Sequence, residues 1–122
     1  MAATSEKLEV WQRAMDLMVE VYGLAARLPD NERDGLADQM RRASASVPAN
    51  IAEGNARAHR LEHLHFLSIA RGSLAELDTH LECTRRLGFL THQDLASATR
   101  LATRVGQMLT RLIASLSRRI TT

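Results

Sequence analysis

Apolar residues recur at Leu36, Met40, Ala43, Val47 and Ile51, a helical beat that runs straight through Pro48. A proline in a helix interior removes one backbone hydrogen bond and crowds the preceding turn, at about 3 kcal/mol. A helix that keeps its pattern across such a residue must be held by tertiary packing. Two later segments carry cleaner seams. Leu67, Ala70, Leu74, Leu77 and Leu81 step by threes and fours, and so do Leu95, Ala98, Ala102, Val105, Leu109, Leu112 and Leu116. Sustained 3–4 spacing predicts left-handed bundle packing at about 20°. Four helices are expected, over about 6–28, 31–54, 59–87 and 91–119. Pro29 stops the first, Asp30 or Asn31 caps the second, Gly54 and Gly88 end the second and third, and Thr91 with Asp94 forms a variant capping box for the fourth. Short connections make neighbouring helices antiparallel. The expected fold is all-α, an up-and-down antiparallel four-helix bundle in a single domain over 1–122.

The first helix carries two apolar seams. One holds Leu8, Trp11, Met15, Met18, Tyr22 and Ala25; the other holds Val10, Ala14, Leu17, Val21, Leu24 and Leu28. A helix in a lone bundle needs one apolar stripe. Two adjoining seams are either one wide stripe on a central helix or one stripe too many. The second alternative predicts an oligomer interface, placed on Val10, Ala14, Leu17, Val21 and Leu24. Helices two and three carry small residues: Ala43, Ala45, Ser46 and Ala49 on one, Ala70, Gly72, Ser73 and Ala75 on the other. A turn centred near residue 58 sets Ala43 opposite Gly72 and Ser46 opposite Ala70. The same register predicts a polar network of Gln39, Arg42, Ser46, Asn50, Glu53, Arg71 and Glu76, with Arg42 bonded to Glu76 and Arg71 near Ser46 and Asn50. Its expected role is to fix register.

Composition agrees with an all-helical core. The chain of 122 residues has eighteen leucines and eighteen alanines but only four aromatic residues, Trp11, Tyr22, Phe66 and Phe89. Its single cysteine, Cys83, excludes an internal disulfide. The N-terminus shows no hydrophobic signal region, and no uncharged apolar run approaches the roughly 18 residues of a membrane span. A cytoplasmic protein with no membrane partner is expected. Net charge is +2, unevenly spread: residues 1–40 hold eight acids and four bases, whereas residues 41–122 hold six acids and twelve bases.

Three strings resemble one family. Asn50-Ile51-Ala52-Glu53-Gly54, Gln39-Met40-Arg41-Arg42-Ala43 and Ile69-Ala70-Arg71-Gly72-Ser73-Leu74, the last followed by Glu76-Leu77, look like the bacterial four-helix-bundle proteins encoded in 23S rRNA intervening sequences. Val10-Trp11 with Ala14, and Val21-Tyr22, fit that family's first helix. The resemblance covers residues 8 to about 90. It implies an up-and-down bundle and a homo-oligomer, with a pentameric ring favoured. One relative of this family is the accessory variability determinant protein of diversity-generating retroelements, which partners a reverse transcriptase and binds nucleic acid through a basic surface. This chain is more evenly charged than those relatives and has Asp34 where the family usually has an aromatic residue before Gly35-Leu36.

Nucleic-acid binding is therefore argued from this chain's own charges. Arg100, Arg104, Arg111 and Arg118 share one stripe of the fourth helix, and from Thr91 onward one acid faces five bases. Repeated around a ring, such a stripe would present a large positive field to RNA or DNA. The alternative is a solvated face that keeps the protein dispersed. Few aromatic residues exist for stacking bases, which argues against single-strand recognition of the RRM type. Enzyme signals are thin. His59-Arg60-Leu61-Glu62-His63 matches the H-x-x-E-H zinc signature, but two histidines are not a site, and Glu76 and Glu82 lie too far along the same helix to converge. Cys83 has no obvious base partner, and no phosphate loop or nucleophile elbow is present. The expected function is a non-enzymatic, homo-oligomeric scaffold or adaptor without cofactor or metal. It either binds RNA or DNA through its arginines or serves protein partners alone.

Overall fold

The structure, a computed structural model, describes residues 2–121, with side chains from 5 to 118. Four helices run α1 (Ala2–Ala25), α2 (Leu36–Asn55), α3 (Arg60–Arg86) and α4 (His92–Thr121). Each packs along two neighbours, in the order α1, α2, α3, α4 and back to α1. The bundle is all-α, as the periodicity predicts. All twelve residues of the α3 and α4 seams are buried.

The helix ends follow local chemistry. α1 tightens after Ala25 through Arg27 N–H to Leu24 O and Leu28 N–H to Ala25 O, then meets Pro29. α3 closes in a Schellman motif. Gly88 takes φ of 78°, its N–H reaches Arg85 O, and Phe89 N–H reaches Thr84 O. α4 opens in a reciprocal capping box: Asp94 N–H donates to Thr91 Oγ1 at 3.1 Å, and Thr91 N–H donates to Asp94 Oδ2 at 2.9 Å.

α2 starts five residues later than the expected 31. Residues Asp30–Glu32 form a 3₁₀ turn, and Gly35 N–H closes on Glu32 O. The Glu32 carboxylate then accepts the Leu36 N–H at 3.0 Å. A side chain from the preceding turn thus satisfies the first orphan donor, in place of Asp30 or Asn31. At the other end Gly54 does not terminate the helix. It lies buried inside α2, where a Cβ would sit 3.1 Å from Phe66 Cβ and 3.2 Å from the His63 carbonyl oxygen. The glycine lets α2 and α3 touch. Pro48 lies buried mid-helix as the pattern requires.

The α2–α3 register differs from expectation. Ser46 Oγ meets Ser73 Oγ at 2.8 Å, not Ala70, and Gly72 faces open space. The connection, residues 56–59, stays centred near 58; the shift lies in the packing, where the Ser46–Ser73 pair centres the register between His59 and Arg60. The polar network shrinks accordingly. Arg42 does not bond Glu76; its Nε donates to Asp38 Oδ2 at 2.8 Å, one turn back on its own helix. Arg71 lies on the α4 side of α3, away from Ser46 and Asn50. Glu53 pairs with Arg57, and Gln39 is exposed. What remains is Ser46, Ser73 and Asn50, whose Nδ2 donates to Ser46 O at 2.8 Å.

α1 carries both seams, but the one expected to form an oligomer interface is enclosed by the chain itself. Val10, Ala14, Leu17, Val21 and Leu24 are all buried within the single chain. They face α2 and α4 and close the core, so they are not available to another subunit. The other seam is only partly covered, with Ala25 buried and Trp11 packed against the core. Leu8 is 61% exposed, Tyr22 is 44% exposed, and Val19, which belongs to neither seam, lies between them at 64%. Trp11, Met15 and Met18 are half-buried along the same edge.

Candidate nucleic-acid interface

Steps of four, seven and seven residues are near-whole numbers of turns, so Arg100, Arg104, Arg111 and Arg118 share one side of α4, opposite its buried seam. All four are exposed. The bundle also brings acids to them. α1 runs antiparallel beside α4, and Arg104 meets Glu9 across the contact at 3.4 Å. Glu6 and Glu9 share a cleft with Arg111 and Arg118. An exposed pair of this length contributes at most about 1 kcal/mol. Its larger effect is on the field, because the middle and end of the arginine stripe face two carboxylates.

The sequence reading missed Glu6 and Glu9 because they lie about 95 residues upstream. The signal was the topology itself: in an up-and-down bundle the start of α1 lies beside the end of α4. The sequence reading placed Arg71 in the α2–α3 polar network, not here. This residue joins Arg111 along a second groove, between α3 and α4, with Leu74, Asp78, Gly106 and Thr110. Asp78 lines the same groove, and partial burial pushes its carboxyl above the usual aspartate value. Farther along α3, hydrogen bonds from Arg85 and then Arg86 hold Glu82 down at about 2. That cluster is self-satisfied within one helix. Arg71, Arg100 and Arg111 form no ion pair among the described residues.

The histidines do other work. His63 is buried, and its Nε2 meets Asn55 Oδ1 at 3.0 Å; burial first, then the nearby Lys7 charge, holds its pKa below 6.5. His59 and Glu62 remain exposed outside it. Among the described residues no three histidine, cysteine, aspartate or glutamate side chains converge to hold a metal. Cys83 is half-buried and unbridged. No described helix is long and apolar enough to cross a membrane. Chemically, the α4 face offers guanidinium groups for phosphate contact and no arrangement of nucleophile, base and acid.

The family model described as 23S rRNA-intervening sequence protein matches residues 6–111. No curated protein matches the chain. Among solved structures, the chain is similar to a protein of unknown function from the S23 ribosomal protein family of Bacteroides thetaiotaomicron VPI-5482. The two are 22% identical, the match covers 89% of this chain and 98% of that one, and the TM-score is 0.83. At that identity the likeness shows a common fold.

Proposed function

This chain belongs to the 23S rRNA-intervening sequence protein family, and from that premise we propose that it is a non-enzymatic homo-oligomeric scaffold presenting the α4 arginines to RNA or DNA. One observation carries the assembly: along the edge of α1, Leu8, Val19 and Tyr22 stand exposed, without cover among the described residues. Contiguous exposed apolar surface of this kind marks an interaction site. The resemblance to a family whose relatives include the accessory variability determinant protein of diversity-generating retroelements favours a pentameric ring. Ring symmetry would repeat Arg100 and Arg111 around the assembly and raise phosphate affinity with each copy.

A second reading is a scaffold for protein partners without nucleic acid. Glu9 on Arg104, with Glu6 in the same cleft, favours it by weakening the field of the stripe. Titration of the purified protein with labelled RNA at several salt concentrations separates the two. The first reading expects binding at low salt whose dependence on salt flattens in the Arg100→Gln, Arg111→Gln variant. No binding at low salt leaves the protein scaffold.

A further inference from the structure

We propose that the partner of α4 is double-stranded RNA, held along its minor groove by two parallel rows of side chains, one of hydroxyls and one of guanidiniums. This rests on the nucleic-acid reading above and names the class of nucleic acid. The rows come from a repeat. Thr99-Arg100, Thr103-Arg104 and Thr110-Arg111 are three threonine–arginine pairs at steps of four and seven residues, so each pair presents the same side of α4. All six residues are exposed. The threonines line the groove toward α3. Arg104 reaches Glu9 on α1, which sets the arginine row beside them on the α1 side.

The threonine hydroxyls are unengaged. A helical threonine commonly turns its hydroxyl back onto a carbonyl of its own helix, as Thr79 does to Ala75 O and Thr84 to Leu81 O. Thr99, Thr103 and Thr110 make no such bond among the described residues. From Gln93 to Arg118 every exposed α4 side chain is glutamine, serine, threonine or arginine, each an N–H or O–H donor. None is aromatic, so the face offers nothing for the base stacking that single-strand recognition uses.

Shape selects the RNA duplex. α4 packs between α1 and α3. Neighbouring helix axes lie about 8–10 Å apart. The major groove of B-DNA is only about 12 Å wide, so α1 and α3 would meet its backbones before α4 reached the bases. An A-form RNA helix instead presents a wide, shallow minor groove edged by phosphates and lined with 2′-hydroxyls. A threonine hydroxyl both donates and accepts, so its row matches the ribose row, which DNA lacks. Arg100 and Arg111 then reach the phosphates of one backbone. Arg71, on the opposite wall of the groove from Thr110, stands toward the other. Asp78 on that wall accepts a ribose hydroxyl but repels a phosphate, which favours the hydroxyl-lined centre of the RNA groove there. Arg104, paired with Glu9, adds less.

Fluorescence anisotropy on the full chain at low salt tests this with three probes of one sequence, about 20 nucleotides per strand: an RNA duplex, a DNA duplex and single-stranded RNA. The wild type should bind the RNA duplex about tenfold more tightly than either other probe. Thr99→Val, Thr103→Val and Thr110→Val in one chain remove the hydroxyls at nearly constant shape. These positions are exposed, so circular dichroism should report unchanged helix content. This variant should bind both duplexes alike, with the salt dependence of wild type, because the phosphate contacts remain. Thr99→Ser, Thr103→Ser and Thr110→Ser together should keep the RNA preference. An RNA duplex bound no better than the DNA duplex, or a tighter single strand, overturns the assignment while leaving nucleic-acid binding intact. A valine variant that keeps the preference overturns the threonine row. No binding of any probe overturns the nucleic-acid reading itself.

Discussion

Glycine and histidine side chains show how position decides a residue's role. Gly54 and Gly72 lie on facing helices, yet a Cβ at Gly54 would crowd Phe66 Cβ and the His63 carbonyl of α3 while one at Gly72 would meet nothing within 4 Å. Gly54→Ala should therefore destabilise by about 1–2 kcal/mol, overpacking outweighing the gain in helix propensity. Gly72→Ala should stabilise by about 0.5–1 kcal/mol. Urea denaturation of both variants checks the opposite signs. His63 titrates against the fold. Its folded pKa lies below the ordinary 6.5, so as pH drops through that value the unfolded chain binds more protons and stability is lost. Thermal melts at pH 7.5 and 5.5 should show this loss, and it should shrink in His63→Gln. Equal pH slopes in both proteins would exclude His63 as the cause.

Helix boundaries were legible wherever the signal lay within a few residues. The Thr91 and Asp94 box and the Gly88 terminus stand where the sequence places them, because both motifs are local. Thr91→Ala should lower stability by about 1 kcal/mol, seen as a fall of roughly 4 °C in Tm by calorimetry. The start of α2 was not legible. Its first N–H is satisfied by Glu32 from a turn outside the helix, and Asp30 and Asn31 offered an equally plausible cap. Gly54 misled for a related reason: the same residue serves as a left-handed terminus or as a close-contact position, and only the neighbouring helix distinguishes them. The close contact at Gly54 belongs to an α2–α3 register in which Ser46 meets Ser73, and Arg42 pairs with Asp38 instead of Glu76.

In the homo-oligomer proposed above, stability and association fall on different faces of α1. Leu17 is fully buried, and Leu17→Ala should cost about 2–5 kcal/mol of stability. Val19 is exposed two residues away, and Val19→Glu should leave Tm within about 2 °C of wild type while abolishing assembly. Sedimentation beside thermal melts on the two variants reads both effects; loss of assembly without loss of stability in the Leu17 variant would reverse the assignment of the seams. The sequence by itself determined four amphipathic helices, the α3 and α4 seams, and an excess of apolar surface on α1. Periodicity does this because side-chain spacing sets each residue's angle about its own helix axis. Tertiary structure alone decided which α1 seam is enclosed, which helix faces glide past one another at Gly54, and that Glu9 stands against Arg104. Those outcomes depend on where neighbouring axes lie, and no spacing within one helix encodes the placement of another.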